Sequence, residues 1–163
     1  MRDGTYYRNR LFANKLLKCY EIAPHRIKQY LDAEIQFIVY KVCGANLVLE
    51  LGCGYGRLLK AVSPFVSIIV GNDISKESLE LAKSYIKPYR NYRTLQMDAS
   101  NMAFRPCVFD AVFCIQNGIS AFEVDTKRLI AESIRVTKNG GLILFSSYSP
   151  KVWENRFDWF KKQ

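Results

Sequence analysis

Three glycines at alternate positions, Gly52, Gly54 and Gly56, follow the apolar segment LVLEL, whose fourth residue is Glu50. Glycines spaced in this way after a strand-like run indicate a turn at which a ligand comes close to the main chain. The spacing differs from the dinucleotide-binding pattern GxGxxG, because Arg57 occupies the place of its third glycine. No Lys-Ser/Thr pair follows, which excludes a P-loop, and the acid Glu50 suits a cationic ligand better than a phosphate.

Two aspartates follow the next two apolar segments. Asp73 lies about twenty residues beyond the glycine turn, where an acid can hydrogen-bond both hydroxyls of a ribose. Asp98 follows a third apolar segment. Because open α/β sheets bind ligands at the carboxyl ends of their strands, we expect the glycine turn and both acids to meet at that edge. Capping of a helix or a turn is the alternative role of each aspartate, and the sequence leaves it open.

The apolar pattern predicts the elements that position these residues. Short apolar runs alternate with polar helical segments from residue 47 onward, which indicates a doubly wound, mostly parallel α/β sheet with helices on both faces. The last helix before the fifth strand is expected to begin after Asp125 and to end at Gly140. The expected strands are 47–51, 66–72, 92–97, 109–115 and 141–148.

The N-terminal part of the chain has a helical pattern. Apolar residues at three- and four-residue steps predict a helix over 27–42 that packs on the sheet. We therefore divide the chain into an N-terminal helical cap or lid, residues 1–44, and a core domain, residues 45–163. Tyr6 and Tyr7 are candidate substrate contacts on a segment that could fold over the site, with surface or core packing as their alternative role.

Four segments in order, ELGCGYG, NDIS, QMDASNMAF and FDAVFCIQNG, resemble the motifs of class I S-adenosylmethionine-dependent methyltransferases. The resemblance covers roughly residues 45–148. It implies a Rossmann-like methyltransferase fold, with S-adenosylmethionine as cofactor and S-adenosylhomocysteine as product. Members of that family usually finish the sheet with an antiparallel edge hairpin. This chain has the helical segment KVWENRFDWFKKQ there, so we expect a sheet that lacks the last hairpin and a chain truncated at its C-terminus.

The resemblance also implies roles for individual residues. Asp73 would hold the ribose hydroxyls, Ile74 would pack on the adenine, and Asp98 would bond the adenine amino group. The loop that begins at Gln116 would face the reacting methyl group. The implied cofactor-binding residues are Glu50, Gly52, Cys53, Gly54, Gly56, Asp73, Ile74, Asp98, Ala99 and Gln116. The candidate substrate-facing residues are Gln116, Asn117, Tyr6 and Tyr7, with a turn as the alternative role of Asn117.

The leading functional interpretation is a methyltransferase that transfers a methyl group by direct displacement to a small molecule. The segment CIQNGISAF resembles the matching loop of small-molecule methyltransferases of the glycine N-methyltransferase type. The net charge of +9 keeps an RNA or protein methyltransferase as an alternative. A non-catalytic cofactor-binding module that acts with a partner is a third interpretation, because no catalytic base is evident and the single histidine, His25, lies in the N-terminal helices.

Composition argues against other classes. One histidine and five cysteines without a CxxC pair predict no metal site and reduced thiols, as is typical of the cytoplasm. No apolar run reaches the length of a membrane span, and the polar N-terminus lacks a secretion signal. We therefore expect a cytoplasmic protein that does not bind membranes.

Overall fold

Five parallel strands form the centre of the computed structural model, which describes residues 12–122, 124–147, 149, 151 and 153–161. The strands are β1 Leu47–Leu51, β2 Ile68–Asp73, β3 Tyr92–Gln96, β4 Phe109–Cys114 and β5 Thr137–Phe145. They lie in the order β3-β2-β1-β4-β5, and every neighbouring pair is parallel. The predicted doubly wound α/β fold is therefore confirmed.

Helices connect and cover the strands. The described helices are α1 Ala13–Glu21, α2 His25–Val42, α3 Arg57–Val62, α4 Lys76–Tyr85, α5 Gly118–Ala121, α6 Thr126–Val136 and α7 Trp153–Lys161. α4 begins after Ser75, whose Oγ accepts a hydrogen bond from the N–H of Ser78 at 3.1 Å. α6 begins after the predicted cap Asp125, which accepts from the N–H of Lys127 at 3.0 Å. None of the helices described is long and apolar enough to cross a membrane.

The strands are buried on both faces because successive residues point to opposite sides of the sheet. Val48 and Ile69 pack with Leu59 of α3 in a cluster that also includes α2 and α4. Their neighbours Leu49 and Val70 belong to a second cluster, which is closed by α6. The near-continuous apolar runs of the sequence correspond to this two-sided burial.

The predicted boundary between the last crossover helix and β5 is wrong. The helix stops before Thr137, where β5 begins, and Gly140 lies inside the strand. Thr137 pairs with Phe109, but the next pair along the strands is Ala111 with Leu142. β5 therefore carries an irregularity in register, and a glycine that usually ends a helix accommodates a bulge here.

α2 joins the N-terminal segment to the sheet. Its Ile38 and Val42 belong to the same cluster as the strand residues, so the predicted packing of this helix is confirmed. Its Ile27 and Leu31 pack with Trp159 of α7. The division of the chain at residue 44 stays a prediction.

α7 packs on the N-terminal helices through Trp159. This side chain is buried, and its indole N–H donates to the carbonyl oxygen of Cys19 at 2.9 Å. Phe157, two residues earlier, is 54% exposed. The described part of α7 therefore contacts the N-terminal helices through the side that carries Trp159.

Candidate functional site

The glycine turn after β1 is held by backbone hydrogen bonds. The N–H of Cys53 donates to the carbonyl oxygen of Asn72 on β2 at 2.9 Å, and the N–H of Gly56 donates to the carbonyl of Cys53 at 2.9 Å. Gly52, Gly54 and Gly56 all have φ in the left-handed region, at +70°, +51° and +85°. The turn is therefore a backbone cradle at the carboxyl end of β1.

The surroundings of the three glycines differ. A Cβ on Gly54 would lie 2.9 Å from Cδ2 of Leu16 on α1, and a Cβ on Gly52 would meet the ring of Phe122. A Cβ on Gly56 would instead meet the side chain of Ile86 at the end of α4. Phe122 and Leu16 thus pack closely on two of the glycines, and the third glycine allows the end of α4 to approach.

Asp73 connects the end of β2 to the glycine turn. One carboxylate oxygen accepts from the N–H of Gly54 at 2.8 Å, and the other accepts from the N–H of Ser75 at 2.8 Å. Burial raises the pKa of Asp73, and these backbone donors oppose that rise. A carboxylate offers about four acceptor positions, so both oxygens can still accept bonds from ribose hydroxyls.

The residues predicted for the adenine lie beside Asp73. Ile74 is a large apolar side chain that is 51% exposed, and Ala99 is buried. Asp98 is exposed, and its Oδ1 accepts from both the N–H and the Oγ of Ser100, at 2.7 and 2.8 Å. Asp98 therefore caps the turn that follows β3, as its alternative role requires, from a position at the same edge of the sheet.

Glu50 and Arg57 are two neighbouring ionisable residues at this edge. Glu50 is buried, and burial raises its pKa to about 8, against the opposing charge of Arg57. Its Oε2 and one terminal nitrogen of Arg57 are buried and have no hydrogen-bond partner among the described residues. Buried polar groups are usually satisfied, so these two atoms indicate that a polar ligand is needed here. The Arg57 guanidinium lies 4.8 Å from the ring centroid of Tyr20.

The turn after β4 is strained. Gln116 and Asn117 are consecutive non-glycine residues with φ of +59°, a conformation that costs on the order of 1–3 kcal/mol each and concentrates at functional sites. The N–H of Gln116 donates to Oγ of Ser146 at 2.8 Å, and Oγ of Ser147 donates to Oδ1 of Asn117 at 3.1 Å. These bonds join the ends of β4 and β5, and Asn117 occupies the turn position named as its alternative role.

Glu34 of α2 reaches this turn, although the motifs above do not indicate it. Its Oε1 accepts from the hydroxyl of Tyr30 at 3.2 Å, from the N–H of Gln116 at 3.3 Å and from Oγ of Ser146. A signal for it exists in the sequence, because Glu34 lies three residues after Leu31 and four before Ile38. An acid therefore stands in the buried stripe of α2 where the helical period expects an apolar residue.

Glu34, Gln116 and Ser146 form a polar cluster that contains two unsatisfied atoms. The hydroxyl of Tyr20 donates to Oε1 of Gln116, which leaves Nε2 of that amide buried and without a partner in the described part of the chain. Oε2 of Glu34 is likewise buried and unpartnered there. The cluster therefore contains one unsatisfied donor and one unsatisfied acceptor.

Other candidates lie elsewhere. His25 is exposed at the start of α2, and Tyr6 and Tyr7 lie outside the described residues. All five cysteines are free, and Cys53 contributes its backbone to the glycine turn while its side chain is buried. Among the described residues no group of three or more His, Cys, Asp or Glu side chains could hold a metal ion.

The chain is similar to known methyltransferases in sequence and in structure. A profile of the methyltransferase domain matches residues 48–141, more than half of the chain. The uncharacterized methyltransferase YcgJ of Bacillus subtilis is 33% identical over 107 residues, which cover 64% of this chain and 42% of the relative. A ubiquinone biosynthesis O-methyltransferase of Nitrosomonas europaea is 28% identical over 131 residues, covering 78% of this chain and 52% of that protein.

A solved structure of the same fold contains a ligand. The N-methyltransferase NodS from Bradyrhizobium japonicum, in complex with S-adenosyl-L-homocysteine, superposes with a TM-score of 0.72 at 16% identity, covering 87% of this chain and 72% of that one. At this identity the likeness concerns the fold alone. The chain spans about half the length of the two relatives named above.

Proposed function

The chain belongs to the methyltransferase domain family of class I S-adenosylmethionine-dependent methyltransferases, and on that basis we propose that it binds S-adenosylmethionine and methylates a small molecule. The observation that carries the proposal is the pair of buried, unsatisfied groups on Glu50 and Arg57 beside the glycine turn. Residues 1–44 act in this proposal as a cap over the site.

Glu50 and Arg57 fit the amino-acid end of the cofactor. An α-amino acid carries an ammonium group, which a buried carboxylate can accept, and a carboxylate, which a guanidinium can bind. Neither group has another hydrogen-bond partner at its orphaned atom within the described residues. Both lie next to the cradle formed by Gly52, Cys53, Gly54 and Gly56. A phosphate carries no cation that could hold the carboxyl group of Glu50 in its ionised form.

The adenosine end fits the ends of β2 and β3. The carboxylate of Asp73, oriented by the N–H groups of Gly54 and Ser75, accepts the ribose hydroxyls. The exposed face of Ile74 receives the adenine, while Asp98 and the backbone of Ala99 bind its edge. This arrangement lays the cofactor from β1 toward β3 along the carboxyl edge of the sheet.

Methyl transfer needs little chemistry from the protein. When bound, S-adenosylmethionine supplies a methyl group that is already activated by a positively charged sulfur. The chain orients this group by its contacts at both ends, and it positions the acceptor on the turn at Gln116 and Asn117. Leu16 and Phe122 border the cradle and help to exclude water from it.

A small molecule is favoured as the acceptor for two reasons. The unsatisfied groups of the site are buried, which suits a ligand that enters a pocket better than a polymer that lies on a surface. Ubiquinone biosynthesis O-methyltransferases are also among the relatives, and their name indicates a small-molecule substrate.

Calorimetric titration of the protein with S-adenosylmethionine, S-adenosylhomocysteine and NAD tests the proposal. We expect the first two to bind and NAD to bind weakly or not at all. Asp73→Asn should weaken binding, whereas Asp125→Asn, which alters the cap of α6 away from the site, should leave it unchanged. Preferential binding of NAD would overturn the proposal.

A further inference from the structure

The acceptor side of the site can be located from the order of the strands. In the proposed function, on which this inference rests, the cofactor extends from β1 over β2 and β3. β4 and β5 lie on the opposite side of β1, so the acceptor must approach from their carboxyl ends. The cluster of Glu34, Gln116 and Ser146 lies at those two strand ends.

The unsatisfied atoms of this cluster define what the acceptor must present. Oε2 of Glu34 needs a donor, and Nε2 of Gln116 needs an acceptor. The backbone N–H of Gln116 contacts Oε1 of Glu34 at 3.3 Å, so both residues belong to the same turn. A single ligand group that donates one hydrogen bond and accepts another satisfies both atoms, and each of them is costly to leave unpaired.

A hydroxyl meets this requirement together with the demands of methyl transfer. A hydroxyl oxygen has one hydrogen for Glu34 and two lone pairs, of which one accepts from Gln116 and the other attacks the methyl carbon. A neutral amine has a single lone pair, which the attack uses, and an ammonium group has none. The pair of orphaned atoms therefore favours an oxygen acceptor.

We propose that the methyl acceptor carries a phenol-like hydroxyl bound between Glu34 and Gln116, and that Glu34 is the catalytic base. The acceptor oxygen forms a bond to the methyl carbon, the carbon–sulfur bond breaks, and its electron pair remains on sulfur, which becomes neutral. The hydroxyl proton passes to Oε2 of Glu34 and later to water. A phenol has a pKa near 10, which makes its proton accessible to a carboxylate as the new bond forms.

Tyr30 and Ser146 are positioning residues in this arrangement. Both donate to Oε1 of Glu34, together with the N–H of Gln116. Three donors on one oxygen fix the carboxyl group and direct the other oxygen to the acceptor. They lie on α2 and after β4 and β5, so the base is held by three separate elements.

The test compares three acceptors with the wild-type protein and two variants. Catechol, 4-nitrophenol at a mildly alkaline pH at which it is ionised, and a primary aromatic amine are incubated with S-adenosylmethionine, and the products are identified by mass spectrometry. We expect methylation on oxygen. Glu34→Gln should lower turnover of catechol by about 10²–10⁴-fold but turnover of the ionised nitrophenol by less than about 10-fold, because a phenolate needs no base.

Matched controls separate catalysis from folding. Asp32→Asn removes an exposed carboxylate from the same helix and should change neither activity. Glu34→Asp keeps a carboxylate and should retain part of the catechol activity if Glu34→Gln proves unstable. Calorimetry should give all variants the cofactor affinity of the wild type.

Different failures overturn different statements. Methylation on nitrogen alone, or no hydroxyl product although S-adenosylmethionine binds, overturns the hydroxyl assignment and leaves the proposed function standing. Equal losses of Glu34→Gln on catechol and on the ionised nitrophenol overturn the role of Glu34 as base. A wild-type protein that fails to bind S-adenosylmethionine overturns the proposed function, and this inference with it.

Discussion

The carboxylate of Asp73 accepts the N–H of Gly54 at 2.8 Å, so the end of β2 is bonded directly to the glycine turn that follows β1. The same side chain accepts the N–H of Ser75 just before α4. One residue therefore fixes two backbone segments at the proposed cofactor end of the site. The proposed ribose contact would add to these bonds on the same carboxylate.

Asp73→Ala should weaken the binding of S-adenosylmethionine by about 1–3 kcal/mol, because ribose hydroxyls lose their acceptor and the glycine turn loses an anchor. Calorimetry measures the affinity, and thermal melting measures the stability of the same variant. Asp125→Ala removes a helix cap remote from the turn and should lower stability alone. If Asp73→Ala also lowers stability alone, its role is structural and the ribose contact is wrong.

Cofactor binding should release a proton near neutral pH. Burial holds the pKa of Glu50 at about 8, so the free protein keeps this group largely protonated, whereas a bound ammonium favours the ionised form. Calorimetry in buffers of different ionisation enthalpy measures the released proton, and Glu50→Gln should abolish the release. An unchanged release in that variant would assign the proton to another group near the turn.

Glu50 should also make the protein less stable as the pH rises. Its pKa is raised in the folded state from the ordinary 4.5 to about 8, so the folded state binds more protons than the unfolded state between these values. Its stabilising contribution is complete below pH 4.5 and is lost as the pH rises through 8. Melting temperatures across this range should fall less steeply for Glu50→Gln than for the wild type.

Arg57→Met should affect only ligands that carry an amino-acid end. The variant keeps an unbranched apolar stem but removes the guanidinium, so we expect S-adenosylmethionine to bind at least about 10-fold more weakly. 5′-Methylthioadenosine, which lacks the amino-acid carboxylate, should bind both proteins equally. An equal loss for the two ligands would mean that Arg57 supports the turn through its contact with Tyr20 instead.

Substitutions at Gly54 and Gly56 should distinguish a loss of cofactor binding from a loss of stability. Gly56→Ala should lower stability by about 2–4 kcal/mol, because φ is +85° and the new methyl group meets Ile86. Gly54→Val, at φ +51°, should in addition prevent cofactor binding, because its side chain stands in the cradle. Thermal melting and calorimetry of both variants make the distinction. A Gly54→Val protein with normal cofactor affinity would show that the ligand lies elsewhere.

The parts of the fold that depend on local signals could be predicted from the sequence. Alternating apolar runs gave the five strands, and Ser75 and Asp125 marked the starts of α4 and α6 because their capping bonds involve near neighbours. The bulge at Gly140 could not be predicted, because it depends on how β5 pairs with β4.

The candidate site divides in the same way. Glu50, the glycine turn and Asp73 could be predicted because they stand at the ends of predicted strands. Glu34 acquires its role only through partners that are 82 and 112 residues away in the chain. An acid within an apolar helical stripe was a visible signal, but the sequence could not show which groups it would meet. Long-range packing decides such contacts.

The hydrogen bond from Trp159 to the carbonyl of Cys19 spans 140 residues, and it joins the first and last helices described. During synthesis on the ribosome, the strands can pair and bury their two clusters before α7 has emerged. α1 cannot reach its final packing until that helix is complete, because Trp159 fills the cluster beneath it. Assembly of the sheet can therefore precede closure of the helices over it, and the proposed ligand-binding edge can form before its cover.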